Sequence, residues 1–211
     1  MSKIFLSHVE HLNAKVREVG LKNCIVGLIK REKYKKLQKQ YQFDEWHISP
    51  YELREYIQSV KKYIEDNHAE VVVDIGCGLG ELLRHLPDVK LKIGYDYSKE
   101  VLQAAESLSR REQNISYHIG SFPDVHVENK IDFLVTLGFM HGSREDTWVS
   151  AYHAVTAAND ISNIIVDVIP PRDGVGYWLD FSKVLPKEYT LAERMGPFLS
   201  GRYIEIYSKE M

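Results

Sequence analysis

The sequence predicts an α/β protein: a doubly wound, mostly parallel sheet of seven strands, closed by an antiparallel terminal hairpin and preceded by an N-terminal helical extension. Three observations carry this reading. At VVVDIGCGLGE, Val71 to Glu81, a run of β-branched residues passes directly into a glycine-rich turn, the pattern of a strand covered on both faces that ends in a tight loop. From Glu70 onward, strand-like and helix-like segments alternate, which implies crossover units and helices on both faces of one sheet. The last two strand-like segments are separated only by Pro197-Phe198-Leu199-Ser200-Gly201. That is too short for a crossover helix, so they pair as a hairpin.

The extension is assigned to residues 1–59 and the sheet domain to residues 60–211. Helical, strongly charged sequence covers Ser7 to Gln42, with a basic run KREKYKKLQK from Lys30 to Lys39 after the apolar Cys24-Ile25-Val26-Gly27-Leu28-Ile29. The run reads either as a solvated helix face or as a patch for phosphates or a membrane surface. A second helix is expected to start at Ser49 as N-cap, with Pro50 in the first helical position and Glu52 as capping-box partner. Strands are expected at Val71 to Ile75, Leu91 to Tyr95, Ile115 to Ile119, Ile131 to Leu137, Ile161 to Ile169, Tyr189 to Gly196 and Arg202 to Lys209. Helical segments are expected at Glu81 to Leu86, Lys99 to Arg111, Glu145 to Ala158 and Val175 to Val184.

Composition narrows the function classes. With 211 residues, 44% of them hydrophobic, the chain can bury one good core. A net charge of -3 argues against a protein devoted to nucleic-acid phosphates. The two cysteines, Cys24 and Cys77, do not make a disulfide framework. No stretch approaches the roughly 20 apolar residues that span a bilayer, and a cytoplasmic location is expected. The nine histidines are scattered without ligand spacing, so no metal site is expected.

The glycine spacing discriminates between cofactors. A dinucleotide fingerprint reads G-x-G-x-x-G, with a pyrophosphate at a helix N-terminus, whereas Gly76, Gly78 and Gly80 give G-x-G-x-G. A strand ending in Asp96, within LKIGYDYS, follows one helix-plus-strand later. A carboxylate there can accept both ribose hydroxyls, a geometry shared by dehydrogenases, so Asp96 supports an adenosine ligand without naming the cofactor. With Asp74 two residues before the first glycine, the block resembles motif I of the class I S-adenosylmethionine-dependent methyltransferases. The terminal hairpin resembles that family's fold as well. The resemblance implies S-adenosyl-L-methionine as cofactor. Asp74 then organises the loop and faces the methionyl ammonium, and Gly76, Gly78 and Gly80 offer backbone contacts. Asp96 chelates the ribose and Tyr97 lies against the adenine. Cys77 is a small loop filler among these contacts.

Other site positions follow by the same likeness. In GSFPD the family often carries an adenine-reading acid where Ser121 stands, so Ser121 and the backbone of Phe122 are the expected contacts, with Asp124 in a shifted register as the substitute. The strand IDFLVTLGFMHGS should end over the site, Leu137 and Gly138 offering carbonyls to the ammonium and Phe139 and Met140 walling the pocket. In methyltransferases of this kind the N-terminal segment commonly covers the cofactor, which makes Trp46, His47, Tyr51 and Arg54 lid or substrate candidates.

Methyl transfer is an in-line displacement, so positioning and desolvation supply much of the catalysis. A base is needed only where the acceptor is a poor nucleophile: for a hydroxyl His141 leads and His47 is the alternative, while an acceptor that is itself ionised needs neither. The strand end lacks the N-P-P-Y or D-P-P-Y of enzymes that methylate nucleic-acid amino groups. Pro170-Pro171 follows the fifth strand instead, with Arg172, Asp173, Tyr177 and Trp178 nearby to shape an acceptor pocket. The expected activity is O-methylation of a small molecule or carbohydrate. Two rival readings stand: a methyltransferase-like module that binds without turnover, and an NAD-type oxidoreductase. The pattern specifies no oligomeric state.

Overall fold

The computed structural model describes residues 13–138, 145–170 and 179–210. Seven strands form one sheet: β1 (Val71–Ile75), β2 (Leu91–Asp96), β3 (Ile115–Ile119), β4 (Ile131–Thr136), β5 (Ile161–Val168), β6 (Tyr189–Met195) and β7 (Tyr203–Lys209). Their order is β3-β2-β1-β4-β5-β7-β6. The first five run parallel; β7 pairs antiparallel with both β5 and β6. This is the expected doubly wound sheet with its terminal hairpin. The strand order reverses between β1 and its neighbours β2 and β4, which opens a crevice at the carboxyl ends of these strands.

The helices are α1 (Leu21–Tyr41), α2 (Glu55–Asp66), α3 (Lys99–Leu108), α4 (Glu145–Ala158) and the short α5 (Phe181–Val184), and residues 13–19 are helical ahead of Gly20. Helix α2 buries Ile57, Val60 and Ile64, a three-then-four spacing that makes one stripe, against Val72, Phe133, Val135, Ile165 and Ile204. Tyr152 of α4 and Phe181 of α5 cover the opposite face with Val73, Leu134, Ile164 and Val166. Successive strand residues point to opposite faces, and both faces are buried. In a third cluster Tyr34 of α1 meets Leu79 of the glycine loop and Val101 and Leu102 of α3. The extension is thus packed onto the loop that follows β1.

Two expected helices differ. Ser49 caps no helix: a 3-10 turn covers Tyr51–Leu53, Arg54 leaves helical geometry (φ -119°, ψ 89°), and α2 begins only at Glu55. Tertiary bonds outweigh the local capping pattern. The Tyr51 N–H donates to Glu81, Gln58 Nε2 donates to the carbonyls of Tyr51 and Glu52, and buried Glu52 pairs with Lys30. Past the glycine loop, the expected helix Glu81 to Leu86 reduces to a 3-10 turn at Leu83–His85. Pro87 forbids continuation, and burial of Leu82, Leu83 and Leu86 holds the turn instead. Helix α3 stops at Leu108 rather than Arg111; of the expected helix Val175 to Val184, residues 181–184 are helical and 171–178 lie outside the described residues.

Candidate active site

The glycine loop is built from its backbone. The N–H groups of Gly76 and Cys77 both donate to the Tyr95 carbonyl, at 2.8 and 3.0 Å, tying the end of β1 to the end of β2. Gly76, Gly78 and Gly80 have φ of 72°, 55° and 68°, the left-handed region. Gly80 has a packing role as well, since a Cβ there would lie 2.1 Å from the Tyr117 hydroxyl. Asp96, 3% exposed, braces the loop: Oδ2 accepts from the Gly78 N–H and Oδ1 from the Ser98 N–H, each at 3.0 Å. Cys77 is buried, and a Cβ on Gly94 would meet its sulfur at 2.7 Å. Burial pushes its thiol well up, which suits a filler and not a nucleophile.

Above the loop lies the extension. His47 sits on Gly78, its Nδ1 3.0 Å from where a Cβ would stand, with Trp46 and Phe43 around its ring at centroid distances of 5.7 and 6.1 Å. Burial lowers the pKa of His47, with Asp96 and Asp44 opposing, so the imidazole is neutral at pH 7. A buried anchor holds this cover in place: Glu81, 3% exposed, accepts from the Tyr34 hydroxyl at 2.6 Å, from the Tyr51 N–H and from Arg84.

A cavity of about 700 Å³ opens beside these groups, within the size range of small-molecule sites. Its walls include His47, Arg54, Gly76, Gly78, Asp96 and Tyr97, and on the far side Ser121, Phe122, Leu137, Gly138, Trp148 and Arg202. Of the expected cofactor contacts, Gly76, Cys77, Gly78, Asp96, Tyr97, Ser121, Phe122 and Leu137 line it; buried Asp74 and Gly80 are not among its lining residues. Asp124 is exposed and outside the lining. Tyr97 is 64% exposed at the rim, and Phe122 packs its ring 4.8 Å from that of Tyr152. His141, Phe139, Met140, Arg172, Asp173, Tyr177 and Trp178 lie outside the described residues.

Charge in the site is unbalanced. Burial raises Asp74 to about 7, Arg54 opposing and Asp96 adding to the shift. Arg54 lines the cavity, yet its Nε is buried without a hydrogen-bond partner among the described residues. On the acceptor side, Arg202 donates from Nη1 to Asp167 at 2.8 Å and stacks over Tyr56 at 4.3 Å, while the other Asp167 oxygen accepts from the Gly138 N–H at 2.9 Å. Sequence reasoning missed Glu81, Tyr56, Asp167 and Arg202. The acid following the third glycine was the one local signal, for Glu81; Arg202 and Asp167 meet only once β5 and β7 pair. Among the described residues no cluster suits a metal ion.

These groups fit S-adenosyl-L-methionine: buried carboxylates for a cationic ligand, an unpartnered guanidinium for its carboxylate, and an acid at the end of β2 for its ribose. Residues 72–159 match the family model of the methyltransferase domain. No curated protein matches the chain. Among solved structures, the N-methyltransferase NodS from Bradyrhizobium japonicum WM9, in complex with S-adenosyl-l-homocysteine, superposes with a TM-score of 0.66 at 15% identity over 84% of this chain and 98% of its own. The magnesium protoporphyrin IX methyltransferase ChlM from Synechocystis PCC 6803, with bound SAH, gives 0.65 at 14% identity over 89% and 99%. The small RNA methyltransferase HEN1 gives 0.59 at 21% identity over 74% of this chain and 25% of its own. The family match sets the oxidoreductase reading aside. Glycine loop, sheet order and domain match converge: residues 72–159 match a methyltransferase domain, the sheet is that of the class I methyltransferase fold, and the groups lining the cavity fit S-adenosyl-L-methionine.

Proposed function

We propose that the chain methylates a small molecule or carbohydrate at oxygen, in the cavity between the glycine loop and Arg202. The observation that supports this reading is the size and cover of that cavity: His47 of the extension lies on Gly78 of the loop, and the volume is about 700 Å³. A pocket of this kind suits a compact acceptor better than a polymer. Bound S-adenosyl-L-methionine supplies a methyl group made electrophilic by the sulfonium.

The chain's own residues then orient and desolvate. Asp96 takes the ribose hydroxyls with its remaining lone pairs, Ser121 and Phe122 meet the adenine, and Tyr97 lies along it. Arg54 holds the methionyl carboxylate, filling its open hydrogen-bonding capacity. Asp74 and the Leu137 carbonyl face the ammonium. His47, neutral at pH 7, closes over Gly78 and is one candidate to accept the acceptor's proton; His141 is the other. Trp148 and Tyr56 wall the acceptor side, and the Asp167–Arg202 pair fixes its floor by holding Gly138.

The test has two stages. Calorimetry of the full chain should show binding of S-adenosylmethionine and S-adenosylhomocysteine, weakened by Asp96→Ala. Formation of S-adenosylhomocysteine is then followed against hydroxylated small molecules, sugars, amines and RNA. Turnover with a hydroxylated small molecule or sugar supports the proposal. Turnover confined to amines or RNA rejects it while leaving the family assignment intact.

A further inference from the structure

Helix α1 carries a face that the methyltransferase site does not use. Cys24, Gly27 and Tyr34 point inward, while Leu21, Ile25, Leu28 and Ile29 stand 61%, 50%, 50% and 67% exposed. At 100° per residue these four fall on one line, roughly 12 Å long. The same line continues into Glu32, Lys35, Lys36 and Lys39, all exposed, with Lys22 and Lys33 beside it. The helix holds seven basic residues against one acid, Glu32, and Glu32 is engaged by Lys35 at 2.6 Å. In a chain of net charge -3 this is a concentration of positive charge.

We propose that this face docks on an anionic lipid bilayer. Aliphatic side chains that insert at the headgroup level, continued by lysines whose stems lie along the surface and whose ammonium groups reach lipid phosphates, are the two terms that bind a helix to such a surface. A second copy of the chain fits worse. Parallel pairing sets lysines against lysines, and antiparallel pairing buries lysines against Leu21 and Ile25. RNA would engage the basic half and leave the aliphatic half in water. The lone aromatic candidates on the helix for base stacking, Tyr34 and Tyr41, are buried and half-buried.

The experiment is co-sedimentation of the full chain with phosphatidylcholine vesicles, with and without phosphatidylglycerol. Binding is expected to the anionic vesicles alone and to be released by high salt. Lys36→Ala and Lys39→Ala should each weaken it about fivefold, and Ile25→Ser with Ile29→Ser about tenfold or more. Affinity for S-adenosylhomocysteine should be unchanged in each variant, which certifies folding and separates this proposal from the reading of the site. Four outcomes overturn it: no binding to anionic vesicles, equal binding to neutral ones, binding insensitive to the substitutions, or self-association or RNA binding through this face in place of vesicle binding.

Discussion

On the proposed placement of Asp74 against the methionyl ammonium, cofactor affinity should depend on pH near neutrality. The free carboxylate has a pKa of 3.8 in the absence of structure and is raised to about 7 in the fold, mainly by burial. At pH 7 roughly half the molecules therefore hold it protonated. A ligand whose ammonium faces Asp74 binds its ionised form, so binding should release about half a proton at pH 7, approaching one at pH 6. Affinity for S-adenosylmethionine should fall about tenfold per pH unit below 7 and level off above it. His47 does not mimic this, because its pKa lies lowered from 6.5 and its charging acts at more acid pH. Calorimetry in two buffers of different ionisation enthalpy reads the proton count directly. Asp74→Asn should abolish the proton release. The same shift has a stability sign. Because the native pKa lies above the unfolded one, the native state binds more protons between about pH 4 and 7; stability falls as pH rises through that window and stays reduced above it. The shift of about three units corresponds to an upper bound of about 4 kcal/mol, so Asp74→Asn should raise the stability of the ligand-free protein at pH 8. Affinity that is flat from pH 5.5 to 8 (roughly the window of both groups), with no proton released, would refute the reasoning.

Arg54→Met should raise the dissociation constant of S-adenosylhomocysteine about 10- to 100-fold, the worth of a charge-assisted hydrogen bond to the ligand carboxylate; unchanged binding in calorimetry would remove Arg54 from the cofactor site. Tyr34→Phe takes a donor from buried Glu81 and should cost about 1–3 kcal/mol. Limited proteolysis should then cut the extension before the sheet unfolds, and a wild-type digestion pattern counts against Glu81 as its anchor. Asn159→Ala breaks three buried hydrogen bonds, to the Val125 and Val155 carbonyls and from the Val127 N–H. A loss of about 2–4 kcal/mol in urea unfolding is expected, with cofactor affinity unaltered; a loss under about 0.5 kcal/mol would contradict the hydrogen-bond assignment.

Much of the fold was legible because its signals are local. Alternating apolar runs placed every strand within a residue or so, and the five residues between Gly196 and Arg202 could only be a hairpin connection. Helix α4 spans Glu145–Ala158 as read. The misread helix starts have different causes: at Ser49-Pro50-Glu52 the Gln58 amide and the Glu81 carboxylate claim backbone groups that the helix would have used, whereas after Gly80 the Arg84 and His85 side chains bond the Leu79 and Glu81 carbonyls and Pro87 ends the turn. In the site, the placement of Gly76, Gly78 and Asp96 on the cavity wall was legible because they follow or end strands. The orphaned Nε of Arg54 and the Arg202–Asp167 pair depend on how remote elements meet, which no spacing encodes. The basic run of α1 was visible in sequence. Which apolar stripe faced outward was not, since Val26, Tyr34, Leu37 and Tyr41 form a second apolar stripe that could equally have faced solvent.

The loss of the helix after the glycine loop bears on which ligand the loop can hold. A pyrophosphate site relies on a helix whose N-terminal N–H groups and dipole point at the anion. Here Leu79 to Leu82 form turns and the one helical element, Leu83–His85, is a single 3-10 turn. Without a long helix there is little dipole to draw an anion. Two of the loop's N–H groups are spent on the Tyr95 carbonyl and a third on Asp96, so the donors an anion needs are occupied. The nearby formal charges are Asp74 and Asp96 against Arg54, which is net negative when Asp74 is ionised. A polyanion would meet carboxylates and spent donors. A sulfonium bearing an ammonium suits such a loop better: its positive groups would meet acids, and its single carboxylate would meet Arg54, whose Nε has hydrogen-bonding capacity to spare. The electrostatics of the loop thus select the same cofactor as its glycine spacing, by an independent route.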